Sequence, residues 1–160
     1  MALTSQSKFQ NFKASLDYYA KTNLVTASSL VVDFEGLPFE SSTQSEWIQL
    51  RTLGSGDRAF QGNVGVSQKA TRSNVLVSFN IFVVKTDTLK INRHYEIRDL
   101  VAKYFGENIK IDLYDFENGD FTTSLQKMVV REIITDQPIP DPDYHQWNFT
   151  CGVEWLQVWT

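Results

Sequence analysis

"VLVSFNIFVV", Val75 to Val84, decides how this chain folds. Val75, Val77, Phe79, Ile81 and Val83 recur at every second position. Side chains two residues apart project from the same side of an extended strand, so these five make one continuous apolar face. A face of that length needs something apolar laid across it. The rest of the chain must supply that cover and the strands that pair alongside.

Two segments carry helical spacing. In the first, Phe9, Phe12, Leu16 and Tyr19 recur at helical intervals, Ser7 and Gln10 fit a capping box, and Asn23 is the expected stop. The second runs from Asn92, a good N-cap, to Gly106, a good C-terminal cap, with Ile97, Leu100, Val101, Tyr104 and Phe105 as its buried stripe. The remaining periodic segments alternate as strands do. Trp47–Leu53 ("WIQLRTL") predicts a strand, "GSGDR" (54–58) a turn, and "AFQGNVGVSQ" (59–68) a weaker strand loosened by glycine. Ile109, Ile111 and Leu113 alternate, and "ENGD" (117–120) carries the Asn-Gly pair of a tight hairpin turn. "LQKMVVREIIT" (125–135) is a further strand. The last is "WNFTCGVEWLQVW" (147–159), with Trp147, Phe149, Cys151, Val153 and Trp155 on one face. Glu40–Ser45 lacks any period and predicts an exposed loop. Helix, strands, helix, strands is the order of an α+β fold: a mostly antiparallel mixed sheet with two main helices packed against it, in one domain spanning 1–160. Trp47, Phe79, Leu100, Phe105 and Trp155 are expected in one core between sheet and helices.

With 160 residues, 42% of them hydrophobic and 13% aromatic, the chain can bury a substantial core. No uncharged run is long enough for a membrane span, and "MALTSQSKFQNFK" lacks the apolar stretch of a secretory signal. A single cysteine, Cys151, excludes an intrachain disulfide and suits a reducing compartment. Its alternation with large apolar residues predicts a buried core side chain. "NFT" at 148–150 matches a glycosylation sequon, read as chance without a signal.

Net charge is −4, unevenly spread: residues 46–105 hold nine Lys and Arg against five Asp and Glu, and residues 106–160 hold three against ten. Such an imbalance either gives oppositely charged faces that favour head-to-tail association, or is averaged away by folding. An acidic total argues against a general nucleic-acid binder. Zinc-protease, P-loop, dinucleotide and EF-hand patterns are absent, and "GSG" (54–56) lies between strands, where no helix N-terminus can cradle phosphate. His94, near the start of the second helix, reads as a surface or capping group.

"TDQPIPDPDYHQW" (135–147) is the least ordinary stretch. Pro138, Pro140 and Pro142 alternate, and Asp141, Asp143 and His145 follow on the same spacing. Prolines fix an extended path with few donors, which predicts a stiff acidic loop between two strands. Three ligands on one side could approach a hard cation, but without a fourth they make a poor site. The expectation is an exposed element that touches a partner or nothing, with no metal and no cofactor.

From Phe34 to Trp159 the chain resembles the tail-terminator proteins of long-tailed phages, the lambda-type U proteins. The likeness rests on Pro38 and Phe39, a loop leading to Trp47, Gly62 in a glycine-containing strand, and Arg72. The strand through Phe79 to Val83 and the helix Leu100–Phe105 ending in an aromatic complete it. The pattern departs at Asn74, where the family often has glycine, and in "KTDTLKIN" (85–92), which lacks the usual glycines. The resemblance implies a non-enzymatic virion protein that closes into a homo-oligomeric ring, expected to be a hexamer, on the last ring of tail-tube protein. The ring stops tube polymerisation and presents the surface for a head-completion or connector protein. Genome DNA passes through it without sequence-specific binding, and no membrane is involved. The location implied is the head-proximal end of the virion tail, after synthesis in the host cytoplasm. An extended hairpin arm carrying Arg58, Lys69 and Arg72 is expected to meet the acidic surface of a neighbour, with Asp141, Asp143 and His145 as further contacts. Two alternatives stand beside it: a head-completion or connector subunit, and a ligand-binding or hydrolytic α+β domain using the Asp141/Asp143/His145 loop.

Overall fold

A computed structural model describes residues 4–63, 69–86 and 88–159, without the side chains of 55–63, 69, 89 and 159. Its elements are α1 (Phe9–Ala20), β1 (Val32–Phe34), β2 (Glu46–Asn63), β3 (Lys69–Val84), α2 (Arg93–Phe105), β4 (Lys110–Leu113), β5 (Gln126–Ile139) and β6 (Tyr144–Trp159). The strands form one sheet in the order β1-β2-β3-β6-β5-β4. Among the described residues only the β1–β2 pairing is parallel. This is the α+β fold that the alternating and helical periods foretell.

β3 lies at the centre because both its faces and both its edges are used. Its odd residues from Val75 to Val83 are fully buried, and Phe79 stands in the middle of them. Both helices cover that face. Phe105 of α2 meets Phe79 with ring centroids 4.5 Å apart, and Phe12 of α1 stacks on Trp155 of β6 at 4.9 Å. Tyr19 joins the two helices, edge-on to Phe105 at 5.4 Å, with its hydroxyl donating to the Tyr104 carbonyl. Leu100 packs against the same core while partly exposed.

Trp47 does not belong there. It is buried, yet it projects from the opposite, helix-free face, where it stacks on Phe82 at 4.8 Å and meets Tyr144 edge-on at 5.3 Å. The register explains the difference: Trp47 pairs with Phe82, whereas Ile48 pairs with core-facing Ile81. A one-residue offset in a strand moves a side chain to the other face.

Three further expectations change. "GSGDR" is no turn but the middle of the 18-residue β2. The ladder slips between Thr52 and Gly54, leaving Leu53 as the extra residue of a bulge, and Gly54 adopts φ +114. Glycine takes up that positive φ beside the bulge without steric cost. β3 likewise starts at Lys69, six residues before its apolar run, because β6 pairs with it along all 16 residues. Asn23 does not stop the first helix either. The helix continues as a π-helical segment, Lys21–Thr26. There the Thr22 and Asn23 side chains donate to the carbonyls of Tyr18 and Tyr19 one turn back. The chain turns at Ser29, which has φ 56.

The capping box also fails to form. Ser7 is fully buried, and its hydroxyl accepts from the Gln126 side chain, so no side chain caps α1. Gly106 does end α2, for a steric reason. A Cβ there would stand 2.4 Å from the Ala102 carbonyl oxygen, and no side chain fits that gap.

Candidate assembly surfaces and the histidine stack

The proline-rich stretch is mostly strand. β5 runs to Ile139, with Pro138 paired opposite Trp147, and only Pro140–Asp143 form the hairpin tip. Described strand partners on the outer edge of β5 end near Val130, where β4 and Ile109 pair with it. Pro138 therefore lies on an open edge, where a missing N–H disrupts no ladder.

Asp141, Asp143 and His145 are not brought together. The Asp141 carboxylate accepts from the amides of Asp143 (2.8 Å) and Tyr144 (3.0 Å), which closes the tip as an Asx turn. Its carbonyl accepts from the Lys85 ammonium. Asp143 is exposed, and its carbonyl accepts from the Lys85 amide at 3.0 Å. His145 projects from the helix side of β6. Among the described residues no group of three acidic, histidine or cysteine side chains is placed to hold a metal ion.

His145 instead lies flat against His94, with centroids 4.7 Å apart and planes within 6°. His94 is a buried residue of the first turn of α2, neither surface nor cap, and its Nδ1 is buried without a hydrogen bond. Burial and the neighbouring His145 both hold its pKa below the ordinary value. At an effective dielectric of ~20, two unit charges at this separation would repel by about 3.5 kcal/mol.

Beside the stack, Tyr95 meets Trp147 edge-on at 5.5 Å. The Trp147 indole donates to Asp136 at 2.7 Å, and Arg98 clamps the same carboxylate. Arg98, with the Trp147 indole assisting, holds Asp136 below the usual carboxylate range against the opposing effect of burial. Sequence reasoning missed both the stack and the clamp. Each joins residues about 40 to 50 positions apart across a helix–sheet contact, and no local period marks them.

The basic arm is more embedded than a free hairpin. β6 flanks it on one side, with Lys69 paired to Trp159 and Arg72 to Leu156, and Arg58 of β2 pairs with Arg72 on the other. The side chains of Arg58 and Lys69, and residues 64–68, which hold the second half of the expected weaker strand, lie outside the described set. Arg72 projects from the helix-free face, 3.9 Å from Glu154, which Arg131 also contacts at 3.1 Å. These residues and Lys127 border a groove of about 520 Å³. Further along that face a polar ladder links Gln49, Asn80, Asn148, Ser78 and Thr150. The helix-free face thus reads aromatic at one end, amide and hydroxyl in the middle, and charged at the other.

No protein-family profile matches the chain, and no curated protein matches it. Solved structures do. One chain of unstated function superposes with a TM-score of 0.64, covering 96% of this chain and 98% of its own length, at 11% identity. At that identity the likeness is one of fold alone. No described helix is long and apolar enough to cross a membrane.

Proposed function

We propose that the chain is a tail terminator of long-tailed phages. It is a structural subunit that closes into a ring, a hexamer by the resemblance, on the end of the tail tube, halts its growth and offers the surface to which the head-completion protein binds. The observation that carries the reading is the ordered set Trp47, Gly62, Arg72, Phe79–Val83 and Leu100–Phe105, which follows the terminator pattern along the sequence. In the fold these residues occupy one continuous unit: the β2–β3 ladder with α2 laid on β3. The opposing hydrolytic reading required Asp141, Asp143 and His145 to converge, and nothing favours it once Asp141 is used in closing the tip and His145 in the stack.

A ring needs two different complementary patches on each subunit. The positive patch is the outer part of β2 and β3 with Arg58 and Arg72, and the acceptor is an acidic surface drawn from residues 106–160. Charges at such a rim govern association rate and salt sensitivity more than affinity.

The test is sedimentation of wild type and an Arg58→Glu/Arg72→Glu double variant at low and high salt, with complementation of tail assembly. Glu at 72 would face Glu154, so circular dichroism must first show the variant folded. Loss of assembly with overlong tails is expected. Normal-length tails from the double variant would refute the arm contact, and wild type that remains monomeric even on tube ends would refute the ring.

A further inference from the structure

We propose that the His94–His145 stack is an acid-sensitive latch, which holds the first turn of α2 on the sheet while the rings are neutral and releases it when both take up protons. Four observations carry this. The rings are parallel within 6° at 4.7 Å, so a second proton places like charges face to face. His94 is buried, and its Nδ1 has no acceptor to stabilise a proton there. His94 is the second residue of α2, where the unpaired amides of a helix start disfavour positive charge.

Finally, the surrounding carboxylates are already committed, except that of Asp143, which is exposed at the hairpin tip. From α2, Arg93 binds Glu96 and also Glu46 of β2, and Arg98 binds Asp99 and Asp136. From β5, Asp136 also accepts from Trp147. At the hairpin tip, the Asp141 carboxylate is held by two backbone amides. β3 places Val83, which cannot ionise, opposite His145. Tyr95 packs on the outer side of His94 at 4.1 Å. No described ion pair or hydrogen bond reaches either imidazole ring, so in the closed state the protonated stack has no acceptor at the buried His94 Nδ1.

The sign follows from linkage. The closed state holds His94 below its ordinary value, so an opened state binds more protons, and closure is favoured at neutral pH and lost as pH falls through the histidine range. Opening is local because the rest of α2 is anchored elsewhere, by Val101 and by Phe105 on Phe79. The turn that would lift carries Tyr95 and adjoins Ile91, both substantially exposed already.

The experiment compares wild type with His94→Phe and His145→Phe, which keep a ring in the stack and remove one titrating group. NMR of the imidazole nitrogens reads protonation directly, and amide exchange across Tyr95–Ile97 reads the latch. In wild type the His94 ring should take up its proton at lower pH than in the His145→Phe variant. Protection of those amides, corrected for intrinsic exchange, should fall at least about tenfold between about pH 7.5 and 5, and by less than about threefold in either variant. A His94 titration left unchanged by His145→Phe would overturn the proposal. So would an equal loss of protection in wild type and variants. If a phenylalanine variant fails to fold, His145→Gln takes its place with the same two outcomes.

Discussion

Replacing Phe79 by alanine tests the arrangement on which every surface above depends. Phe79 is fully buried in the middle of β3, touching Phe105 at 4.5 Å and Phe149 at 6.3 Å between ring centroids. The lost transfer free energy of the ring is about 2 kcal/mol. A cavity of roughly 100 Å³ left behind adds about 2.4 kcal/mol at ~24 cal/mol per Å³. The sum, about 4 kcal/mol, sits inside the usual range of ~3–5 kcal/mol for truncating a buried aromatic. Partial collapse of Phe105 into the gap would lower the cavity contribution, so Phe79→Leu should cost distinctly less. For a chain of this length the Tm should drop by roughly 8–16 °C. Urea unfolding followed by tryptophan fluorescence measures it, with a lower midpoint and an unchanged slope. A loss below about 1 kcal/mol would mean that the odd residues of β3 do not face the helices.

Other substitutions probe separate features. Gly106→Ala should destabilise by about 1–3 kcal/mol, because its Cβ meets the Ala102 carbonyl at 2.4 Å and only backbone movement relieves the clash; chemical denaturation checks it. Cys151 is fully buried and its thiol is pushed up to about 12, so a thiol-reactive dye should label native protein only as fast as it unfolds. Prompt labelling in native buffer would contradict that burial. Asp136 is held below its ordinary value of 3.8 chiefly by Arg98, so the clamp stabilises the fold above that pH and is lost as pH falls through the lower, folded value. Arg98→Ala should therefore remove part of the acid sensitivity below about pH 4, read from stability curves of both proteins.

Where one face of an element meets one neighbour, its residues could be read from the sequence. The stripe Ile97, Val101, Phe105 and the alternation from Val75 to Val83 are of this kind, since burial imposes a period of 3.6 or 2 on them directly. The extent of the strands was not legible. Gly54 and Gly56 look like a turn, because a bulge inside a long ladder uses the same residue type as a reversal. Trp47 looked like core because period alone does not say which face of a strand is covered, and the helix-free face holds an aromatic cluster of its own. The histidine stack was illegible for a third reason. Its partners come from α2 and β6, and their meeting depends on how that helix sits across the sheet.

The long pairing of β3 with β6 bears on mechanics. The two strands are antiparallel over all 16 residues of each, and β6 is held on its other side by β5 from Val129 to Ile139. A pull along the axis of β6 from its Trp159 end does not peel rungs one at a time. It shears two ladders at once, so many hydrogen bonds share the load and must yield together. Force applied across the sheet, from β1 or β4, meets only three or four rungs at the edge. The subunit is therefore stiff in one direction and yielding in another. Forced unfolding is governed by the unfolding rate, so extension along β6 should rupture in one high-force event, whereas a transverse pull should detach the short edge strands at lower force.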